Sequence, residues 1–433
     1  MSTLRKVSDL ARCMAFQWLP GPLIQAYKLH RLRAVLHHAE RHVALYRDKF
    51  RAAGVSARDL RTIDDLRFFP TLTREEVISG YPGQILARPP RPNDVLFRTS
   101  GTSGQFMQIA YSARANDFLD AVYGRALFNA GYRPWDRIAY YWWEPEPKPL
   151  RSYERLGLMK KDFLPIHADP ARQLADLDAL NPDVVYHFPS ALLMITRILE
   201  RERGRHRFAP RLAICHGEFM ADEQQTYMER VLGCPVHNEY GAQEFNRMGW
   251  DCGERAGMHE DSDSVHIEIV NGGEPAPRGV EGEVVVTGLA NDLMPLIRYR
   301  IGDAGRMLDP GCGCGRALPR YQLTEGRLDD VLELPDGARV GPRTLAPQIE
   351  QLRGFHQYRV IQVATDALEV LLVREPGAPA DLEQQVKDVI LGVVGPELRV
   401  SVQSVPHIEL SRRGKLRKIV RKIPRGATGA APN

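Results

Sequence analysis

The chain has 433 residues, 43% hydrophobic and 26% charged, which is too long for a single core and excludes disordered, collagen-like and disulfide-scaffold classes. Its net charge of +4 is local: residues 411–425 hold eight Lys or Arg and no acid, so the rest is net acidic and a general nucleic-acid-binding surface is excluded. No apolar run is long enough to cross a bilayer, and the N-terminal stretch lacks an uninterrupted apolar core with a small-residue cleavage site, so a cytoplasmic chain without membrane contact is expected.

In chain order, the first fifty residues read as helix, with Leu32, Val35, Leu36, Ala39 and Val43 on one apolar stripe. Phe69 to Thr73 leads into a second helical segment, which Thr73 caps with Glu76 three residues on. A short apolar run, Val95 to Phe97, then opens Thr99-Ser100-Gly101-Thr102-Ser103-Gly104-Gln105. Its hydroxyls and its glycines, which turn backbone N–H groups toward one point, make a concavity suited to phosphate. It is not the GxxxxGK[ST] loop, because no Lys follows the second glycine. Ser112 to Ala130 is helical in pattern.

Strand-like segments at 137–143, 183–187, 211–216 and 235–239 alternate with helical patterns at 191–201 and 222–232. This alternation predicts an α/β fold with a doubly wound parallel sheet and ligands at the strand ends. From His266 the texture changes to successive strands (HIEIV, GEVVVTGL, PLIRYR), as in a β-rich subdomain of about 250–325. Beyond Gly326, strands at 358–364, 368–374 and 398–405 with a helix at 382–391 predict a small α+β lid domain.

Three motifs fall where the other parts of a nucleotide need holding. In NEYGAQE, Tyr240 can lie on a purine, Gly241 lets the backbone approach, and Glu244 can hold a Mg²⁺ that bridges phosphates. YRIGD ends on Asp303, a carboxylate to which ribose hydroxyls can donate. GRLDD carries Arg327 and Asp329 at the junction of the large and small domains, and Lys415 lies in GKLR near the end. Singly, each has an ordinary reading: a solvated carboxylate for Glu244, turn chemistry for Asp303, a solvated face for the basic tail.

The order TSGTSG, YGAQE, YRIGD, GRLDD, GK resembles the acyl-adenylate-forming (AMP-binding) superfamily, and within it the phenylacetate–CoA ligase branch, as do FFPTLTREEV, YHFPSAL and CHGEF. The resemblance spans roughly the whole chain. It implies a large N-terminal AMP-binding domain over 1–328 and a mobile C-terminal lid over 329–433. Thr99, Ser100, Gly101, Thr102, Ser103 and Gly104 would wrap the ATP phosphates, and Gly217, Glu218, Glu239, Tyr240 and Gly241 would line the adenine. Glu244 would bind Mg²⁺, Asp303 the ribose, and Arg327 ribose or phosphate. Asp329 would be the hinge, and Lys415 would bridge the substrate carboxylate and the α-phosphate.

The activity so implied is ATP-dependent conversion of a carboxylic acid, aryl or arylacetic, to acyl-AMP, followed by transfer to the thiol of CoA. A carrier protein or an amine as acceptor, and a noncatalytic nucleotide- or zinc-binding interaction protein, remain as alternatives. Gln105 and Phe106 stand where the family commonly has Lys-Pro, Gln243 replaces a Ser or Thr, and Ile301 a Thr.

Cys252 and His259, followed by Cys312 and Cys314, offer three thiols and one imidazole, a set suited to structural Zn²⁺ with no open position for catalysis. Unrelated thiols on Gly-rich turns are the ordinary alternative. Cys13, Cys215 and Cys234 read as buried small residues. Tyr140-Tyr141-Trp142-Trp143 could stack an aromatic acid or pack a core.

Overall fold

The structure, a computed structural model, describes residues 3–99, 106–142, 152–327, 331–375, 377–409 and 416–423. The predicted N-terminal helix is three helices, α1 (Thr3–Phe16), α2 (Gly21–His42) and α3 (Ala44–Ala53). Pro20 ends the first junction, and Val43, extended at φ −116°, makes the second. Leu32, Val35, Leu36 and Ala39 of the expected stripe are buried along α2, and Val43 is buried at the junction after it. Thr73 caps α4 (Arg74–Gly80) reciprocally: its hydroxyl accepts from the Glu76 N–H at 3.3 Å, and the Glu76 carboxylate accepts from the Thr73 N–H at 2.8 Å. An antiparallel hairpin, β1 (Val95–Thr99) and β2 (Met107–Tyr111), flanks the hydroxyl loop, and Ser112 caps α5 (Ala113–Asn129).

The parallel part comprises β3 (Ile138–Trp142), α6 (Ser152–Arg155), β4 (Lys161–Pro165), α7 (Pro170–Leu180), β5 (Val184–His187), α8 (Pro189–Arg201), β6 (Leu212–His216), α9 (Asp222–Leu232) and β7 (Val236–Ala242). Its spatial order is β4-β3-β5-β6-β7, with every pair parallel. Alternation along the strands sorts the core. Ala139, Tyr141, Val185, Ala213 and Cys215 face α7, α8 and α9, while Ile138, Val184, Tyr186, Leu212 and Ile214 face α5. Each fully buried Val or Leu there contributes about 1.5–3 kcal/mol. Strand β4 and helix α7 lay outside the sequence reading. Half-buried KDFLP lacks a clean alternation, whereas α7 had a legible start in Asp169-Pro170, where Asp169 caps the helix.

The β-rich region is not a separate sheet. Strands β8 (Asn246–Asp251), β9 (Met258–Glu260), β10 (Val265–Asn271), β11 (Glu274–Pro275), β12 (Gly282–Gly288), β13 (Tyr299–Met307) and β14 (Arg320–Arg327) continue from β7 as antiparallel neighbours. Among the described residues the result is one twelve-stranded sheet. Of the expected strand PLIRYR, only Tyr299 and Arg300 join β13. Arg298 instead turns at φ 47° and sends its buried guanidinium to the carbonyls of Arg67 and Phe69. The N–H of Leu72 donates to the Arg298 carbonyl and the N–H of Arg300 to the Leu72 carbonyl, each at 2.9 Å, so FFPTLT is seated against YRIGD.

After the hairpin β15 (Leu332–Glu333) and β16 (Arg339–Val340) come α10 (Pro342–Glu350), β17 (Phe355–Ala364), β18 (Ala367–Arg374), α11 (Leu382–Val394), β19 (Arg399–Ser404) and β20 (Ile419–Arg421). The last sheet runs β19-β18-β17-β20 and has its own core, with Leu345, Val360, Leu372, Val386 and Ile390 fully buried. Among the described residues, no helix is long and apolar enough to cross a membrane.

Candidate functional site

In the order β4-β3-β5-β6-β7, the chain reverses its direction of winding between β3 and β5. A crevice at the carboxyl ends of strands around such a point is where an open α/β sheet takes ligands. The carboxyl ends of β5, β6 and β7 run into YHFPSAL, CHGEF and YGAQE. Strand alternation splits the aromatic run. Tyr141 is buried with its ring stacked 3.8 Å from His187, whereas Tyr140 stacks on Tyr186 at 4.7 Å and Tyr186 on His216 at 4.3 Å. Three parallel strands thus present one ring ladder. Trp143 lies outside the described residues.

Glu239 lies behind these strand ends, 5% exposed. Its carboxylate accepts from the Tyr186 hydroxyl at 2.8 Å and pairs with Arg247 at 2.7 Å, which fastens β7 to β5 and β8. Glu218 accepts from the Ser190 N–H at 3.2 Å at the start of α8, joining CHGEF to YHFPSAL, and its other oxygen is buried with no hydrogen-bond partner among the described residues. Gly217 stands between at φ 75°.

YGAQE and YRIGD, read separately in the sequence, meet: the Tyr240 hydroxyl donates to the Asp303 carboxylate at 2.5 Å. Burial, with Asp303 beside it, holds the Tyr240 phenol well above its usual range, so it stays a donor. At Gly241 a Cβ would come 2.3 Å from the Asn246 carbonyl oxygen, so the turn between β7 and β8 closes only without a side chain. The Tyr111 hydroxyl donates to the Gln243 carbonyl at 2.6 Å, tying the hairpin that flanks the hydroxyl loop to this turn. Glu244 is largely buried, 3.9 Å from Arg74. Asp303 is opposite Arg327 in the β13–β14 register, and Thr99 opposite Met107 in β1–β2. Ser100, Gly101, Thr102, Ser103, Gly104, Asp329 and Lys415 lie outside the described residues.

A second cluster lies where β8, β9 and the β13–β14 connection converge. The ligating atoms of Cys252, His259, Cys312 and Cys314 are all within 4.8 Å of one another. The Cys252 and Cys312 sulfurs are 3.6 Å apart, and Cys314 Sγ is 3.3 Å from His259 Nε2. Metal–sulfur bonds of about 2.3 Å arranged tetrahedrally require edges of about 3.7 Å. Burial, with Arg316 and Arg320 nearby, lowers the His259 pKa to about 4, so the imidazole is neutral and has a lone pair to give. Phe16, Ile24, Trp250 and Leu318 pack around the cluster. Cys13, Cys215 and Cys234 are buried free thiols, as expected.

The sequence reading missed a buried ionic network beside this cluster. Arg125 pairs with Asp261 at 2.5 Å and Asp263 at 2.7 Å, and Lys28 with Glu260 at 2.5 Å. The run EDSDS after His259 was its one local signal.

No family model matches the chain. The phenylacetate-coenzyme A ligase of Escherichia coli (strain K12) is 30% identical over 352 residues, 78% of this chain and 79% of that protein. That of Pseudomonas putida is 26% identical over 412 residues, 91% of this chain and 92% of that protein. Among solved structures, 2-hydroxyisobutyryl-CoA ligase in the postadenylation state, in complex with R3-HIB-AMP, superposes with a TM-score of 0.76 at 20% identity. The match covers 94% of this chain and 91% of that one, a likeness of fold.

Proposed function

The chain belongs to the phenylacetate–coenzyme A ligase family, and on that premise we propose that it activates an aryl or arylacetic acid with ATP and transfers the acyl group to the thiol of CoA. The observation that carries the site assignment is the meeting of Tyr240 with Asp303 beside Glu244, under the hairpin that flanks the hydroxyl loop. The ring ladder of Tyr140, Tyr186 and His216 supports an aromatic acid.

In the first half-reaction the substrate carboxylate oxygen attacks the α-phosphorus of ATP, and pyrophosphate leaves with the electron pair of the broken P–O bond. Two anions must be brought together, so positioning and charge neutralisation carry the rate. We assign Thr99 to Gly104 to the phosphates, Asp303 to the ribose hydroxyls, Arg327 to ribose or phosphate, and Lys415 to the carboxylate and α-phosphate. Gly217, Glu218, Tyr240 and Gly241 line the adenine side, where the unpartnered Glu218 oxygen can accept from an exocyclic amine; Glu239 supports that wall from behind. The Glu244 carboxylate is a hard oxygen donor of the kind Mg²⁺ takes, and the bound ion would offset phosphate charge. In the second half-reaction the thiolate adds to the acyl carbonyl and AMP leaves. Rotation about Asp329, at the boundary of domains 1–328 and 329–433, would withdraw Lys415 and admit the thiol. ATP and CoA are cytoplasmic reactants, and we place the chain there.

The test is pyrophosphate release from ATP across aryl, arylacetic and aliphatic acids, with and without CoA. Release with an aryl acid and turnover that requires CoA are expected. Turnover indifferent to CoA would transfer the assignment to a carrier-protein or amine acceptor, and silence with every acid would reject adenylation.

We further assign Cys252, His259, Cys312 and Cys314 to one structural zinc, which four protein ligands would hold without an open position. Metal analysis should find about one zinc per chain, and Cys312→Ser should lose it and melt at lower temperature. A metal-free chain with unchanged melting in Cys312→Ser would remove the site.

A further inference from the structure

The chain just beyond Lys415 meets the large domain at Glu350. Glu350, the last residue of α10, is mostly enclosed and accepts from Lys418 Nζ at 2.7 Å, from the Tyr358 hydroxyl at 3.0 Å, and from the side-chain amide of Gln224. Lys418 and Tyr358 belong to the C-terminal sheet region; Gln224 is in the first turn of α9. Arg197 of α8 adds a second crossing bond, donating to the Glu350 backbone carbonyl at 3.3 Å. Burial alone would raise the Glu350 pKa, but Lys418 and the hydrogen bonds outweigh it and hold the group below its usual value, so it is a carboxylate with its acceptor sites engaged.

Lys418 is three residues beyond Lys415 and is fixed at its backbone as well. Its carbonyl accepts from the Val360 N–H at 2.7 Å, and Arg359 donates to the Arg417 carbonyl at 3.0 Å. Gln224 is six residues beyond Glu218, on the helix that leads out of CHGEF. Three residues of chain span at most about 10 Å. The junction therefore holds Lys418, just before β20, against the first turn of the helix that leads out of CHGEF.

We propose that Glu350 is a positioning residue whose bond to Gln224 pins the Lys415 segment in the arrangement for acyl-adenylate formation, and whose release is needed for the lid to turn. This rests on the two-half-reaction reading above.

The discriminating variant is Gln224→Glu. Gln224 Oε1 also accepts from the Ala221 N–H at 3.1 Å, and a glutamate keeps that capping bond while setting a second carboxylate against Glu350. Two assays on the full chain separate the steps: acid-dependent ATP–pyrophosphate exchange without CoA, and thioester formation from supplied acyl-adenylate and CoA. Exchange should fall about tenfold, within the range of coupling between two-state elements. Thioester formation should stay at the unsubstituted level or rise. Adding Glu350→Gln to Gln224→Glu restores one amide and one carboxylate with donor and acceptor exchanged, and should recover exchange. Equal losses in both assays, no loss in either, or a folded double variant that recovers nothing would overturn the proposal. Silence of the unsubstituted chain in both assays would overturn the underlying reading as well.

Discussion

Lys415→Ala should lower carboxylate-dependent pyrophosphate release by about 10²–10³-fold, the usual cost of removing one preorganised donor aimed at developing charge. Thioester formation from supplied acyl-adenylate should stay near the unsubstituted rate. The split follows from the chemistry. In the first half-reaction two anions are forced into contact, whereas the second begins from an adenylate whose phosphate charge is no longer on the attacked atom. A flexible lysine would spend much of this gain on ordering its chain. The strand that follows is anchored by Lys418 on Glu350 and by the pairing of β20 with β17. Pyrophosphate release that survives Lys415→Ala unchanged would withdraw the assignment, and an equal loss in both half-reactions would assign the residue to folding of the lid instead.

Arg125→Leu should destabilise the chain by about 3–5 kcal/mol in chemical denaturation, the cost of leaving a buried charge uncompensated. Arg125 is fully buried, and its guanidinium reaches Asp261, Asp263 and the Cys13 carbonyl, while Trp250 donates to Asp261 at 3.1 Å. Removing the cation strands two carboxylates that water cannot reach. Adding Asp261→Asn and Asp263→Asn should recover a large part of the loss, because the repulsion is then gone. A change under about 1 kcal/mol, the size of an exposed pair, would show that water enters the network. The network joins α1 and α5 to the turn just after His259, so the variant should also loosen the thiol–imidazole cluster, read as faster reaction of its cysteines with a thiol reagent.

Much of the site was legible because its chemistry is local. Thr73 and Glu76 announce a cap by spacing, and Cys252, His259, Cys312 and Cys314, which the structure brings together, stand out by residue type; the phosphate-loop reading of Thr99 to Gly104 falls mostly on residues outside the described ones. Each depends on residues a few positions apart, or on residue type alone. Glu239 shows where that reading stops. The family resemblance put it with the adenine residues, but a strand turns neighbouring side chains to opposite faces, and Glu239 goes inward to Arg247 and Tyr186. The aromatic run divides for the same reason, with Tyr141 in the core and Tyr140 in the ring ladder.

The sequence by itself determined the order of the motifs, the alternation of strand and helix over the parallel region, the α+β character of the C-terminal region and the four residues of the thiol–imidazole cluster. Only the tertiary structure decided that the parallel and β-rich parts are one sheet, that Tyr240 donates to Asp303, that Lys28 and Arg125 are buried ion-pair partners of the residues after His259, and that Glu350 meets Gln224. The physical reason is common to all of these. Propensity, capping and periodicity act over a few residues, whereas a buried polar group takes whichever partner the packed layers bring within about 3 Å, and the cost of leaving it unpaired fixes that partner however distant it is along the chain.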